Sequence, residues 1–189
     1  LLWQSSFSQS GFNSVYSKDG VAVIAVGDGG NIFMSYDAGA TFGSYPLGSQ
    51  NFNSVYAINQ KVWIVGDAGA IQVSNNGGNS YTSYGIGGGN LNSVYFTDEN
   101  NGWAVGDGGR IAKTTNSGVT WTSTSPFGFT DLTGVKFTGA LTGYACGSGG
   151  NVLKTTDGGA SWSTYITGTT MNLLSIDASG TTIIATGVD

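Results

Sequence analysis

A segment that opens with glycine and closes with an aromatic residue recurs four times along this chain. The copies span 27–42, 66–81, 106–121 and 147–162, and the step from first to last residue is constant (42 − 27, 81 − 66, 121 − 106 and 162 − 147 all equal 15). The opening glycines, together with Gly187, follow one another at intervals of 39, 40, 41 and 40 residues. Such regularity indicates one structural unit repeated along the chain.

A period of about 40 residues is typical of a four-stranded β-propeller blade. Some helical repeats have a similar length, but these units are rich in Val, Ile, Thr, Tyr and Trp and are interrupted by Gly, Asn and Asp. That composition favours strands. We therefore predict a single all-β domain over 1–189, a five-bladed β-propeller of four-stranded repeats. The repeats are about 12–50, 52–90, 91–131, 132–172, and 173–189 together with 1–11.

The fifth copy is short. In the other four copies, the closing aromatic residue lies 15 positions after the opening glycine. In the fifth copy, the two residues after Gly187 and the first three residues of the chain, which end at Trp3, give a step of only 5. We expect the N-terminal segment to pair with 173–187 and to close the last blade, which would lack one strand. A chain cut from a longer propeller would have the same ends, so that alternative stays open.

Composition excludes several functions. The chain has a net charge of −5 and 6 Lys and Arg residues, too few for a basic stripe that follows nucleic acid. It has no histidine, which removes histidine bases and histidine metal sites. No apolar stretch approaches the roughly 20 residues that span a bilayer. We expect no cofactor or metal, and Cys146, which takes the place of Val105 in the preceding repeat, should be a buried core residue.

The second turn of each repeat resembles the Asp-box of sialidase-type propellers, S/T-x-D-x-G-x-T/S-W. In such a turn a short carboxylate or amide caps backbone N–H groups, and the aromatic residue holds the hairpin against the sheet. The capping residues are Asp37, Asn76, Asn116 and Asp157, and the aromatic residues are Phe42, Tyr81, Trp121 and Trp162. We predict a structural role for all eight.

The Asp-box and the Gly-Trp-Ala-Val-Gly-Asp-Gly-Gly stretch together resemble the repeat of the photosystem II stability and assembly factor family of plants and cyanobacteria. The resemblance covers essentially the whole chain and implies a propeller that assists protein assembly. Members of that family usually have seven blades and an arginine-rich patch, whereas this chain has only Arg110. A sialidase needs three arginines for its substrate carboxylate, so that activity is excluded.

A glycoside hydrolase needs two carboxylates roughly 5 to 10 Å apart. Asp-box repeats also occur in propeller glycanases, so Asp98, Glu99, Asp131 and Asp177 are candidates. No supporting partner for any of them is evident in the sequence. We therefore predict that the chain is not an enzyme and keep a glycanase fragment as an alternative.

The Gly-Asp-Gly-Gly turns should lie on the same rim as the loops between blades. Asp28, Asp67 and Asp107, with Asp189 as a further member and Ser148 at the fourth place, would form a broken ring. Our hypothesis is that this ring, with Asp131, binds a cation or glycan hydroxyls, and that Tyr84, Phe127 and Phe129 offer stacking surfaces. The alternative is that Asp-Gly is present because hairpin turns favour it.

These observations predict a non-catalytic recognition module that binds a glycan or a protein surface. We expect it on a cell surface, in the secreted fraction or in a virion. The alternative function is a photosystem assembly factor-like chaperone on the thylakoid or periplasmic side.

Overall fold

The computed structural model describes residues 11–17, 20–128, 130–165 and 167–188. Four of its sheets have four antiparallel strands each, hydrogen-bonded in chain order. Sheet 1 contains β1 (Phe12–Ser17), β2 (Val23–Gly27), β3 (Ile32–Ser35) and β4 (Gly43–Ser44), and sheet 2 contains β5 (Phe52–Ile58), β6 (Lys61–Gly66), β7 (Ala70–Ser74) and β8 (Thr82–Gly85). Sheet 3 contains β9 (Leu91–Phe96), β10 (Gly102–Gly106), β11 (Arg110–Thr114) and β12 (Thr122–Thr124), and sheet 4 contains β13 (Leu132–Phe137), β14 (Gly143–Gly147), β15 (Val152–Thr155) and β16 (Ser163–Tyr165).

Sheet 5 contains two strands, β17 (Asn172–Ser179) and β18 (Thr182–Val188). The all-β prediction and the four-stranded repeat are therefore confirmed. The five-blade count stays a prediction, and so does closure of the last blade by the N-terminal strand, because Trp3 lies outside the described residues. Within those residues, no helix is long and apolar enough to cross a membrane.

Short 3-10 turns join the second and third strands of sheets 1 to 4, at Asp28–Gly30, Asp67–Gly69, Asp107–Gly109 and Ser148–Gly150. The glycine that precedes each turn allows a close backbone approach. A Cβ added to Gly106 would lie 1.9 Å from the carbonyl oxygen of Asn90, at the start of the inner strand. The third turn residue has left-handed backbone, with φ of 72° at Gly109. Glycine is favoured at both places because it lacks a Cβ.

The apolar core lies between consecutive sheets. We call these contacts the first to fourth interfaces, from sheets 1 and 2 to sheets 4 and 5. Each has its own cluster of buried residues, and the innermost strands β1, β5, β9, β13 and β17 pack one against the next. Cys146 is fully buried in the fourth interface, as a core residue should be.

The two outermost sheets are less covered than the central ones. Val15 in sheet 1 is 67% exposed, whereas Val55 at the same place in sheet 2 is 4% exposed. At the other end of the array, Ile184 is 64% exposed, whereas the equivalent Trp103 is 1% exposed. The second strand is therefore buried on both faces in sheets 1 to 4 but not in sheet 5.

Candidate functional site: the loop rim and the box rim

The turns and loops lie at two opposite ends of the sheets. The loop rim carries the four 3-10 turns and the loops between sheets, as the hydrogen bond from Leu47 N to Gly30 O shows. The box rim carries the Asp-box turns and the hairpins between first and second strands, as the bond from Gly77 N to Gln60 O shows.

Each Asp-box turn forms the same local network. In sheet 4, Oδ1 of Asp157 accepts hydrogen bonds from Thr155 Oγ1 at 2.8 Å and Ser161 N at 2.9 Å, and Oδ2 accepts from Ser161 Oγ at 2.6 Å. In sheet 2, Asn76 Oδ1 accepts from Ser74 Oγ and Ser80 N, while Asn76 Nδ2 donates to Ser80 Oγ. Asp37 and Asn116 repeat these two arrangements. Carboxylate and amide therefore serve the same turn.

Hydrogen bonds to the ionised form change the acidity of the two box carboxyls. Bonds from Thr41 and Ser35 lower the pKa of Asp37 to about 2, and bonds from Ser161 and Thr155 lower the pKa of Asp157 to about 2. Both side chains are exposed, so their role is local capping.

The box aromatics pack against the sheets. Trp121 donates its indole N–H to Gly118 O at 3.0 Å and meets Phe96 edge-on at 5.9 Å. Trp162 meets Phe137 in the same way at 6.0 Å. Tyr81 packs on the first-interface core, and Phe42 is half-buried over its own turn.

On the loop rim, the turn aspartates accept hydrogen bonds from asparagines that lie on the inner strand of the same sheet or just before it. Asp67 accepts from Asn53 Nδ2 at 3.2 Å and Asn51 Nδ2 at 2.9 Å. Asp107 accepts from Asn92 Nδ2 at 3.2 Å and from the backbone N–H of Asn90 at 3.1 Å. Asp28 accepts from Asn13 Nδ2 at 3.1 Å.

The inner-strand asparagines also connect consecutive sheets, a role that sequence reasoning missed. Asn53 Nδ2 donates to Leu91 O of sheet 3 at 3.0 Å, and Asn13 and Asn92 donate likewise to Phe52 O and Leu132 O. In sheet 4, Thr133 Oγ1 donates to Leu173 O at 2.6 Å. Each turn aspartate therefore orients the amide that bridges to the next sheet.

Each turn aspartate has its own hydrogen-bond partners. Across the described parts of the chain, no group of three or more His, Cys, Asp or Glu residues could hold a metal ion. Asp131 Oδ1 accepts a hydrogen bond from the backbone N–H of Gly108, the second residue of its turn, at 2.9 Å. In the other three turns, the side-chain oxygens of Asn51, Asn90 and Asn172 accept the equivalent bond. The other two members, Phe129 and Asp189, lie outside the described residues.

A depression of about 540 Å³ lies on the loop rim beside Asp107. It is lined by Gly88, Gly89, Asp107, Gly108, Arg110, Ser125 and Gly128. Arg110 holds one wall, because its guanidinium donates to the carbonyls of Ile86, Gly87 and Gly89 and to Ser123 Oγ.

Of the predicted stacking residues, Phe127 is 42% exposed in the loop that contributes Ser125 and Gly128 to the depression. Tyr84 is half-buried against the second-interface core, so much of its ring is covered.

The remaining carboxylates have separate partners. Asp98 accepts from the backbone N–H groups of Asn100 and Asn101, and Glu99 accepts from Asn59 Nδ2 at 2.7 Å. Asp177 pairs with Lys136 at 2.8 Å. That ion pair ends a row of inner-strand tyrosines, Tyr16, Tyr56 and Tyr95, whose ring centroids are 5.0 and 4.9 Å apart. Burial raises the pKa of Tyr16 and Tyr56.

No protein-family model and no curated protein matches this chain. Among solved structures, it is similar to YCF48 bound to D1 peptide, with 16% sequence identity and a TM-score of 0.69 over 90% of the chain. It is also similar to an ancestral GH74 enzyme, with 14% identity and a TM-score of 0.73 over 88% of the chain. The chain has a β-propeller fold. It spans 61% of the YCF48 chain and 27% of the GH74 chain.

Proposed function

We propose that this propeller is a non-catalytic recognition module that binds a glycan or a protein surface at the loop-rim depression. One observation carries the proposal. The chain has 11 Asp and Glu residues, and Asp19 and Asp189 lie outside the described residues, which leaves nine (11 − 2). Each of the nine accepts a hydrogen bond from within the fold.

The direction of the pKa shifts supports the same proposal. A general acid that works near neutral pH needs a raised pKa. The pKa values of Asp37, Asp98, Asp157 and Asp177 are all lowered by hydrogen bonds to their ionised forms, from the residues described above. These four groups stay ionised and serve as acceptors.

The depression suits an uncharged partner. Its four glycines add no side chains, Ser125 adds a hydroxyl, and Asp107 and Arg110 carry opposite charges that already have partners. Sugar hydroxyls and an extended peptide backbone both offer the matching donors and acceptors. Phe127 provides an apolar surface at the edge. The site would act outside the cytoplasm, on a cell surface, in the secreted fraction or in a virion.

Two other functions remain candidates. A photosystem assembly factor-like chaperone, on the thylakoid or periplasmic side, is favoured by the similarity of fold to a propeller solved with a bound D1 peptide. A glycanase fragment is favoured by the similarity to a GH74 enzyme. A fifth blade completed by the N-terminal strand would be compatible with all three functions.

Binding of the purified chain to glycan and peptide arrays tests the proposal. Ser125→Trp should fill the depression and weaken binding at least tenfold, by an order-of-magnitude expectation for a blocked site. Thr164→Trp, on the exposed outer strand of sheet 4, is the matched control and should bind as the parent does. Binding that Ser125→Trp leaves unchanged would remove the depression from the proposal. Peptide hits alone would narrow the partner to a protein, which the chaperone function also requires, and release of reducing sugar would favour the glycanase.

A further inference from the structure

The second and third interfaces are filled by the same stacked pair of aromatic rings. Trp63 stacks on Phe96 with ring centroids 3.7 Å apart, and Trp103 stacks on Phe137 at the same distance. At the equivalent places, the first interface has Ile24 and Ala57. An aromatic pair is therefore replaced by two smaller aliphatic side chains.

A third position changes together with this pair. Phe96 and Phe137 lie across from Gly102 and Gly143, and a Cβ on either glycine would lie within 2.6 Å of the phenylalanine ring. Ala57 lies across from Val62, which has room for a side chain because no ring is present. The set is Trp, Phe and Gly in the second and third interfaces, and Ile, Ala and Val in the first.

This replacement leaves a cavity of about 240 Å³ on the box rim between sheets 1 and 2. Its apolar walls include Ile24, Ala57 and Val62, all buried. Its polar groups come from Tyr16, Tyr36, Asn59, Gln60 and Gly77. The described lining residues carry no charge, so the cavity favours a neutral ligand.

The cavity is lined by Gly77, whose carbonyl group is equivalent to the one that accepts the tryptophan indole N–H in the second and third interfaces. The indole N–H of Trp63 donates to Ser117 O at 2.8 Å, and that of Trp103 donates to Gly158 O at 3.2 Å. The equivalent carbonyl at the first interface is Gly77 O, which receives the Tyr36 hydroxyl at a long 3.5 Å. A carbonyl oxygen has two lone pairs and can accept a second, shorter bond.

Met34 makes up part of the missing volume. Its thioether lies beside Gly78, the place where the Trp63 ring lies beside Gly118. Thioether sulfur makes favourable contacts with aromatic ring edges. The remaining space is bounded by these aliphatic side chains and by the polar groups named above, Gly77 O among them. The Met34 sulfur lies 3.8 Å from the hydroxyl of Tyr36, which lines the cavity.

We propose that the first-interface cavity binds an indole-type ring, planar and uncharged, whose ring N–H donates to Gly77 O. The ring would occupy space that the Trp and Phe rings fill in the next two interfaces. This site lies on the box rim and does not depend on the partner proposed for the loop rim.

Titration of the isotope-labelled chain with indole, followed by NMR, tests this site. Saturable shifts should centre on Gly77, Gln60 and Ala57. 1-Methylindole, which lacks the N–H, should bind about fivefold more weakly because one hydrogen bond of about 1 kcal/mol is lost. No saturable binding of indole, or equal binding of the two compounds, would overturn the proposal.

A triple variant, Ile24→Trp, Ala57→Phe and Val62→Gly, installs the set found in the other interfaces. It should weaken indole binding at least tenfold, as expected when a site is filled. Ala57→Leu narrows the cavity with less risk to folding and should also weaken binding. The control Val119→Trp adds an aromatic ring at a position that is 49% exposed and should bind as the parent does. Unchanged affinity in Ala57→Leu would contradict the assignment.

N-Acetyl-tryptophanamide distinguishes the two sources of an indole. If it binds at least as tightly as indole, the natural occupant is a tryptophan side chain of a partner. If indole binds more tightly, the occupant is a free small molecule.

Discussion

The first interface and the two that follow have the same backbone arrangement but different fillings. In all three, an inner-strand amide donates to the next sheet, and an inner-strand serine accepts the N–H of Val55, Val94 or Val135. Only the side chains between the sheets differ, Trp with Phe in two interfaces and Ile with Ala in the first. The repeated polar contacts are therefore compatible with two different apolar fillings.

Trp103→Ala should have the largest effect and would sharpen this comparison. It removes a buried ring stacked on Phe137 and the bond to Gly158 O, at a cost of about 3–5 kcal/mol in the free energy of unfolding. Ile24→Ala should cost about 2 kcal/mol, the low end for such a truncation, because a cavity already lies beside Ile24. Urea denaturation measures both. Equal losses would show that the two fillings are energetically alike.

Asn53→Leu tests the part that the interfaces share. Leucine stands at this place in sheet 5, as Leu174. The change removes the bonds to Asp67 and Leu91 O and should cost about 1–3 kcal/mol. Asn13→Leu should cost less because Asn13 is exposed. If the denaturation midpoint of Asn53→Leu equals that of the parent, the amide bridge does not stabilise the array.

Asp157→Asn should have the smallest effect at neutral pH. Asn76 and Asn116 show that an amide can make the same turn contacts. The folded-state pKa of Asp157 is about 2, below the ordinary 3.8. The stabilisation from the ionised carboxylate is therefore complete above about pH 4 and is lost as the pH falls towards 2.

Acid denaturation of Asp157→Asn checks this sign. The variant should lose part of the acid sensitivity of the parent between about pH 4 and pH 2, while its midpoint at pH 7 stays close to that of the parent. Asn116→Ala provides the contrast, because it removes the cap altogether. A variant with unchanged acid sensitivity would contradict the assignment.

The repeat period and the strand-favouring composition were together enough to predict an all-β fold of four-stranded repeats. β5 begins at Phe52, where the second predicted repeat begins, and the turn after Gly66 lies where the glycine spacing placed it. These features are local, since turn residues and alternation fix them within one repeat.

The role of the turn aspartates could have been found in the sequence. Asn13, Asn53 and Asn92 occur in the repeats that have Asp28, Asp67 and Asp107, and in the fourth repeat both change, to Thr133 and Ser148. That joint change indicates contact between the two positions. The hypothesis of a ligand-binding ring considered the aspartates without their partners.

The cavity could not have been predicted in this way. When the repeats are aligned, Ile24, Trp63 and Trp103 occupy the same position. The sequence does not show that Ala57 faces Ile24 across an interface. Such pairing depends on how consecutive sheets pack, which the period alone leaves open.

Among the described residues, the main packing contacts of each sheet are with the sheets before and after it in the chain. An array of this kind behaves as a nearly one-dimensional system, in which cooperativity passes from neighbour to neighbour. In the part of the chain that the structure describes, sheet 5 packs through one face at the fourth interface, and Ile184 and Leu174 on its other face are exposed. Amide hydrogens should therefore exchange fastest there and slowest in sheets 2 and 3, so that opening proceeds inward from the less covered end.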